Sequence, residues 1–227
     1  MLTILVIDDE KPTLSMFKLF LSAYGYNVFT AENGEDGIAV FNDKKPEIVF
    51  TDLKMPGMDG LEVLQKIKES EIKSQVIVIT GHGDMDKAIL ALDLDAADFI
   101  NKPVEREALD AALLRAEARM DSSPKNHFQL SHNISDNIFY IELKGSITGD
   151  AEKQFSELQN IEEVKTMDKV IVKFDNNFAI NRSGISCFMN FLNQTKTRCD
   201  DITLDGLSCN FKKIFQMVGI SRAANFS

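Results

Sequence analysis

Short apolar runs alternate with segments of helical periodicity through the first half of the chain. The apolar runs are typical of strands buried in a sheet, and they predict strands over Leu2–Ile7, Asn27–Thr30, Ile48–Thr51, Val76–Thr80 and Asp98–Ile100. Between these runs, apolar residues recur every three or four positions, which predicts helices over Pro12–Tyr24, Gly34–Phe41, Gly60–Ile67, Met85–Leu92 and Glu105–Met120. Five strand–helix repeats favour an α/β fold with a doubly wound, five-stranded parallel sheet.

The pattern changes after the polar, proline-containing segment 122–127, which reads as a linker. We therefore predict a domain over residues 1–121 and a second one over 128–227. The second half predicts strands over Phe128–Leu130, Ile138–Leu143, Val170–Phe174 and Ile202–Leu204, and helices over Asp150–Ile161, Ser183–Thr195 and Phe211–Val218. Strands and helices in this order indicate a smaller mixed-sheet α/β domain.

Charge is divided unevenly between the two halves. Residues 1–121 carry 13 Lys and Arg against 23 Asp and Glu, whereas residues 122–227 carry 12 of each. Neither half has the basic surface of a nucleic-acid binder, and no apolar run reaches the roughly 18 residues of a membrane span.

The N-terminus lacks the pattern of a secretory signal, so we expect a cytoplasmic protein that binds neither nucleic acid nor membrane. Cys187, Cys199 and Cys209 suggest neither a disulfide framework nor a zinc site.

Chemically active side chains stand where the predicted strands of the first half end. Asp8 and Asp9 follow the first strand, Asp52 the third and Thr80 the fourth, and the fifth leads into Lys102. The carboxyl ends of parallel strands form the ligand edge of such a sheet. Three carboxylates facing one crevice need a hard cation such as Mg²⁺, and a hydroxyl and an ammonium complete a cradle for a phosphoryl group. The predicted chemistry is attack of a carboxylate on phosphorus, giving an aspartyl phosphate.

Four motifs together resemble the receiver domain of two-component response regulators, which has a flavodoxin-like fold. They are Asp8-Asp9, the loop from Asp52 to Gly60, Ile79-Thr-Gly-His-Gly-Asp84 and Asp98-Phe-Ile-Asn-Lys-Pro103. The resemblance implies that Asp52 is the phosphoacceptor and that Asp8, Asp9, Asp52 and the backbone carbonyl of Lys54 hold Mg²⁺. It further implies that Thr80 and Lys102 bind the phosphoryl oxygens and that Phe99 turns inward when Thr80 moves. In this family the Lys102–Pro103 bond is cis. The switch residues that the resemblance implies are Thr80, Phe99 and Pro103.

Several of these residues also have ordinary structural explanations. Asp8 or Asp9 alone would serve as a helix cap, and Phe99 is equally well explained as a core aromatic. His82, where receivers vary the rate of phosphate loss, would more often be an exposed loop residue. Asp95 departs from the family, which usually has glycine there, so we expect a strained or rearranged loop at this left-handed helix end.

The second half resembles the STAS family of anti-sigma-factor antagonists. Its helix-opening segment Ile180-Asn-Arg-Ser-Gly-Ile185, and Gly145-Ser-Ile-Thr148 before it, carry that resemblance. In this family an anti-sigma factor with serine kinase activity binds the surface around Asn181, Arg182, Ser183 and Gly184. Arg182 stands where the phosphorylated serine is usual, and such a kinase cannot phosphorylate arginine. Ser183, one residue later, is more simply explained as a helix cap or first-turn residue.

Together the two resemblances indicate a signalling phosphoprotein and not an enzyme, apart from its own phosphoryl transfer and dephosphorylation. The expected partners are a sensor histidine kinase or phosphotransfer protein, an anti-sigma factor/serine kinase or similar protein, and a second copy in a phosphorylation-dependent homodimer. Two alternatives stay open. In one, the second domain only docks or multimerises and the protein is a scaffold or phosphate sink; in the other, the second domain has hydrolytic or nucleotide chemistry.

Overall fold

A computed structural model describes residues 1–70, 72–81, 84–121, 128–159, 161, 167–176 and 178–227 of the 227-residue chain. The chain divides into two compact units, Met1–Met120 and Asp121–Ser227. The predicted linker 122–127 and His82 lie outside the described residues. Within the described part of the chain, no helix combines the length and apolar character that crossing a bilayer requires.

Unit 1 is a five-stranded, fully parallel sheet with strand order β2-β1-β3-β4-β5, which confirms the predicted architecture. Its strands are β1 (Thr3–Ile7), β2 (Asn27–Ala31), β3 (Ile48–Asp52), β4 (Gln75–Thr80) and β5 (Asp98–Asn101). Its helices are α1 (Lys11–Ala23), α2 (Gly34–Lys44), α3 (Gly60–Glu69), α4 (Met85–Asp93) and α5 (Arg106–Asp121). Every residue of β3 is buried, as expected for a central strand covered on both faces.

Helix α3 shows how local sequence fixes the loop that follows β3. Asp59 caps the helix by accepting hydrogen bonds from the backbone of Leu61 and Glu62, and its own backbone N–H donates to Glu62 Oε2. At Gly60, a Cβ atom would lie 2.1 Å from the carbonyl oxygen of Asp52. Only glycine therefore lets the start of α3 pack directly on the end of β3.

Asp95 keeps the left-handed conformation expected at the end of α4, with φ +61°. The Asp95 carboxylate pairs with Lys68 at 3.0 Å and also with Arg119. Burial favours the neutral acid, but the charges of Arg119 and Lys68 outweigh it and lower the pKa of Asp95. These ion pairs offset the backbone preference for glycine.

Unit 2 is built on a mixed five-stranded sheet with strand order β12-β11-β9-β7-β6. The strands of this sheet are β6 (Gln129–Ser135), β7 (Ile138–Lys144), β9 (Lys169–Phe174), β11 (Ile202–Asp205) and β12 (Asn225–Phe226). A separate parallel pair consists of β8 (Ser146–Ile147) and β10 (Ala179–Ile180). The helices of unit 2 are α6 (Glu152–Gln159), α7 (Arg182–Lys196) and α8 (Cys209–Met217). Strand β6 is antiparallel to β7, and the other pairs of the main sheet are parallel.

Several boundaries in unit 2 differ from the prediction. Strand β6 extends to Ser135, well beyond the predicted end at Leu130. A turn at Asp136-Asn137, with φ +51° and +61° at the two residues, connects it to β7. Strands β8, β10 and β12 were not predicted, because two residues are too few to show a period.

The core of unit 2 is a cluster of phenylalanine rings on one face of the sheet. Phe155 of α6 stacks on Phe191 of α7 with ring centroids 4.8 Å apart, and Phe188 of α7 contacts Phe215 of α8 at 5.8 Å. Phe174 of β9 meets Phe215 at 6.1 Å. Helices α6, α7 and α8 are therefore joined to the same face of the sheet through aromatic contacts.

Candidate functional site

Three carboxylates meet at the carboxyl edge of the unit 1 sheet. Asp8 and Asp9 follow β1, and Asp52 ends the neighbouring strand β3. Each offers an oxygen within 4.8 Å of the other two. Asp8 is fully buried, Asp52 is 5% exposed and Asp9 is exposed. Sequence position therefore predicted this cluster correctly, because β1 and β3 are adjacent and end at the same edge of the sheet.

Lys102 reaches the same crevice from the end of β5. Its Nζ atom lies 2.7 Å from Asp52 Oδ2 and 3.0 Å from Asp8 Oδ2. Its backbone N–H donates to the carbonyl of Thr80 at 2.7 Å, and the Lys102–Pro103 peptide bond is cis. Glu10 Oε2 is a further partner at 3.3 Å. Sequence analysis missed Glu10, although it directly follows the acidic pair.

The charges in this crevice shift one another's protonation. Burial raises the pKa of Asp8, an effect that the hydrogen bond from the Glu10 backbone and the Lys102 ammonium only partly oppose. For Lys102, burial would lower the pKa, but its hydrogen bonds to Asp52 and Asp8 outweigh burial and raise it. Lys102 is therefore held as a cation between two carboxylates, and Asp8 carries its charge at an energetic cost.

Thr80 ends β4, and Phe99 lies on the neighbouring strand β5, two residues before its end. Thr80 is 1% exposed, and its hydroxyl donates to Asn101 Oδ1 at 2.6 Å. Asn101 is its direct neighbour on β5, and the fully buried Phe99 pairs with Val78 two residues earlier. Asn101 was not among the predicted residues, since an amide at a strand end gives no chemical signal of its own.

The loop after β3 forms another wall of the crevice. The Lys54 backbone N–H donates to Asp52 Oδ1 at 3.3 Å. The Lys54 ammonium crosses to Asp84, whose Oδ1 lies 2.8 Å away. This ion pair, which sequence reasoning did not predict, joins the loop after β3 to the start of α4.

This donor set fits a hard divalent cation. It consists of oxygen atoms, as Mg²⁺ prefers, and the exposure of Asp9 leaves one side open to water. The raised pKa of Asp8 indicates a buried carboxylate whose charge a cation would stabilise. With Lys102 beside Asp52, the arrangement can hold a dianionic phosphoryl group next to a nucleophilic carboxylate.

The predicted partner-binding residues of unit 2 gather at the start of α7. Asn181 caps the helix by accepting from the Gly184 backbone at 2.8 Å. The exposed Ser183 hydroxyl donates to Asn181 Oδ1 at 2.8 Å and accepts from the Gly149 backbone at 3.1 Å. At Gly184, a Cβ would lie 2.1 Å from the carbonyl oxygen of Ile147. Arg182 is the exposed first residue of the helix.

Comparison with known proteins identifies the family of the first unit. The family described as the response regulator receiver domain matches residues 4–114. A response regulator receiver domain protein of Clostridium thermocellum, solved by crystallography, is 38% identical, with 53% of this chain and 97% of that chain covered and a TM-score of 0.51. The crystal structure of FixJ-N is 33% identical, with 54% of this chain and 98% of that chain covered and a TM-score of 0.50.

Curated relatives share the same region. The transcriptional regulatory protein FixJ of Rhizobium meliloti is 35% identical over 118 residues, which is 52% of this chain and 58% of FixJ. The transcriptional regulatory protein GlrR of Escherichia coli K12 is 36% identical over 110 residues, 48% of this chain and 25% of GlrR. The chain thus spans only a quarter to somewhat over half of these relatives. Through its N-terminal unit, the chain belongs to the response regulator receiver domain family.

Proposed function

We propose that the protein receives a phosphoryl group on Asp52 and that this modification controls unit 2. The observation that carries the first part is the contact of Lys102 Nζ with Asp52 Oδ2 at 2.7 Å, inside a cluster of three carboxylates. A receiver domain takes its phosphoryl group from a histidine kinase or phosphotransfer protein, and that is the upstream partner.

The transfer is an in-line displacement at phosphorus. A carboxylate oxygen of Asp52 forms the new O–P bond while the bond from phosphorus to the donor breaks, and the donor leaves with that electron pair. Lys102, held as a cation, stabilises the negative charge on the phosphoryl oxygens. Asp8, Asp9, Asp52 and the Lys54 carbonyl would hold Mg²⁺, which when bound would neutralise further oxygen charge. The Thr80 hydroxyl exchanges its bond with Asn101 for one with a phosphoryl oxygen.

The test of this part is phosphorylation with acetyl phosphate and Mg²⁺, measured as a mobility shift on a phosphate-affinity gel. We expect wild-type protein to be labelled and Asp52→Asn to remain unlabelled, because the amide cannot attack phosphorus. Lys153→Ala, on the exposed surface of α6, serves as the control and retains labelling. Labelling of Asp52→Asn at the wild-type level would show that another residue is the acceptor.

For unit 2 we propose a STAS-like output that binds an anti-sigma factor with serine kinase activity, or a similar protein. The cap formed by Asn181, the contact of Ser183 with Gly149 and the glycine-dependent packing at Gly184 support a rigid, exposed surface at the start of α7. Arg182 gives this surface a positive charge in place of a phosphorylatable serine, so control passes to Asp52. Residues 122–227 carry no net charge, which does not favour a DNA-binding output.

Affinity capture with full-length protein tests this output. Bait is prepared with and without Mg²⁺ and beryllofluoride, a mimic of the aspartyl phosphate, and as the Arg182→Glu and Lys153→Glu variants. We expect a kinase-like anti-sigma factor whose recovery changes with beryllofluoride and falls for Arg182→Glu but not for Lys153→Glu. Recovery of only the protein itself, or a partner indifferent to both changes, would favour the scaffold or phosphate-sink alternative.

A further inference from the structure

Strand β6 lies at one edge of the unit 2 sheet, and among the described residues it pairs on one side only, with β7. It is seven residues long, and its pairing with β7 runs from Gln129 to Ser135 without interruption. The strand at the opposite edge, β12, has two residues. An unpaired edge presents backbone N–H and C=O groups that another strand can bind, and a short edge strand limits such binding. Strand β6, in contrast, is long enough to accept a further strand.

The sequence of β6 lacks the residues that usually protect a sheet edge. Proteins place charged side chains, proline or a bulge on such edges to prevent further pairing. Residues 129–135 include no Asp, Glu, Lys, Arg or Pro, and the continuous register with β7 contains no bulge. Six of the seven residues are exposed. The edge is therefore both accessible and unprotected.

The apolar face of the unit 2 sheet continues from β7 onto β6. Leu130 lies opposite Leu143, and Ile134 lies opposite Phe139. The two β7 residues are buried, whereas Leu130 is half-buried and Ile134 is 44% exposed. Between Leu130 and Ile134, the exposed His132 places its ring against that of Phe139, with centroids 5.4 Å apart. A neighbouring strand would thus bury apolar side chains as well as pair with the backbone.

The residue order of β6 fits a second copy of the same strand. Residues directly opposite each other in an antiparallel pair share a face, so a two-fold axis at His132 would place Leu130 opposite Ile134 of the second copy. On the other face, Ser131 would lie opposite Asn133, so that hydrogen-bonding side chains also match. Residues 122–227 carry 12 basic and 12 acidic side chains, and a second copy would therefore meet no net repulsion from this half of the chain.

We propose that β6 is a self-association edge, at which a second copy of this chain adds its own β6 in antiparallel orientation about a two-fold axis at His132. The two five-stranded sheets become one sheet of ten strands. A two-fold interface of this kind closes after two copies, and the edges that remain are the short β12 strands. The association requires neither phosphate nor Mg²⁺ and so does not depend on the proposed function. Because one strand pair buries less surface than a standard interface, the dimer forms in a concentration-dependent way.

Disulfide cross-linking of full-length, unphosphorylated protein tests the register. His132→Cys places two thiols opposite each other, with Cα atoms about 4.5–5.5 Å apart, which is within the range that a disulfide bridges. Ser135→Cys is the matched control, because its counterpart lies opposite Gln129, about 20 Å away. Under mild oxidation we expect a covalent dimer of His132→Cys on a non-reducing gel, and no more dimer from Ser135→Cys than from the wild type with its three native cysteines. A mixture of Gln129→Cys and Ser135→Cys should again give a covalent dimer.

Sedimentation equilibrium measures the strength of the association. His132→Lys places two like charges opposite each other at the axis and should raise the dissociation constant roughly fivefold or more. Because His132 is exposed, unit 2 should fold normally in this variant, which a thermal melt checks. Asn225→Lys adds the same charge to an exposed residue of the opposite edge strand and should leave the dissociation constant unchanged.

Four outcomes would overturn the proposal. They are the absence of a covalent dimer of His132→Cys, equal cross-linking by Ser135→Cys alone, a dissociation constant unchanged by His132→Lys, and equal weakening by Asn225→Lys. A dimer that is indifferent to residue 132 forms through another surface of the chain.

Discussion

Replacing Gly60 by alanine tests how tightly the phosphoacceptor loop is built. A Cβ atom at residue 60 would stand 2.1 Å from the carbonyl oxygen of Asp52, whereas packed carbon atoms prefer neighbours at about 3.5–4.0 Å. The added methyl is therefore more than about 1 Å too close. The obstacle is backbone, and Asp52 is fixed in the sheet by pairing with Ile79, so the end of β3 and the start of α3 must separate.

Two effects of this substitution oppose each other. Alanine is favoured over glycine inside a helix by up to about 1 kcal/mol, although the gain is smaller at the first position. Overpacking against groups that cannot move costs about 1–3 kcal/mol. We expect the clash to dominate, with a net loss of about 2 kcal/mol in the free energy of unfolding, or a Tm lower by roughly 6–10 °C for a unit of this size.

Calorimetry of the full chain and labelling with acetyl phosphate measure the two consequences. The transition of unit 1 should shift down, and labelling should slow because the Asp52 carboxylate is displaced from Lys102. Gly149→Ala is the matched control, since the nearest atom to its Cβ would be Ser183 Oγ at an ordinary 3.5 Å, and it should change neither quantity. A Gly60→Ala protein as stable as the wild type and labelled at the same rate would refute the packing argument.

Three further changes have defined outcomes. Because burial raises the pKa of Asp8, its negative charge opposes folding at neutral pH, and this cost in stability disappears as the pH falls through the raised pKa. Asp8→Asn should therefore raise the Tm of metal-free protein in a thermal melt. The same variant should weaken Mg²⁺ binding measured by titration calorimetry. The pKa of Asp95 is lowered, so its ion pairs with Lys68 and Arg119 stabilise the fold at pH values above the ordinary carboxyl pKa. Asparagine tolerates the left-handed backbone, so Asp95→Asn should lower stability in urea at pH 7 through loss of the ion pairs. The stability difference from the wild type should narrow below pH ~4. Asn181→Ala removes a helix cap and should destabilise unit 2 by about 1 kcal/mol in urea unfolding, and an unchanged midpoint would contradict the assigned cap.

The receiver fold could be predicted because β1 and β4 are apolar runs and helices such as α3 bury one apolar face. The site followed from topology, since residues that end adjacent parallel strands must meet, as Asp8 and Asp52 do. Contacts that depend on side-chain reach were not accessible from the sequence. Glu10 at Lys102, Asn101 at Thr80 and Asp84 at Lys54 are examples, and none of them is signalled by period or composition.

Unit 2 was harder to predict for a different reason. Six of the seven residues of strand β6 are exposed and the remaining one, Leu130, is only half-buried, so its pattern lacks the alternation that marks a strand. Strands β8 and β10 pair through two residues each and exist because Gly184 lets α7 approach Ile147. Such short elements depend on tertiary packing, which a local pattern does not encode.

The ring contacts inside unit 2 constrain how any signal can reach it. Phe191 joins α7 to α6, Phe188 joins α7 to α8, and Phe174 joins the sheet to α8. Because close-packed interiors resist compression, a movement of α7, which Asn181 caps, would have to be accommodated by α6 and α8 as well. For the output that we propose, this packing favours control by hiding or freeing a preformed surface over control by reshaping it.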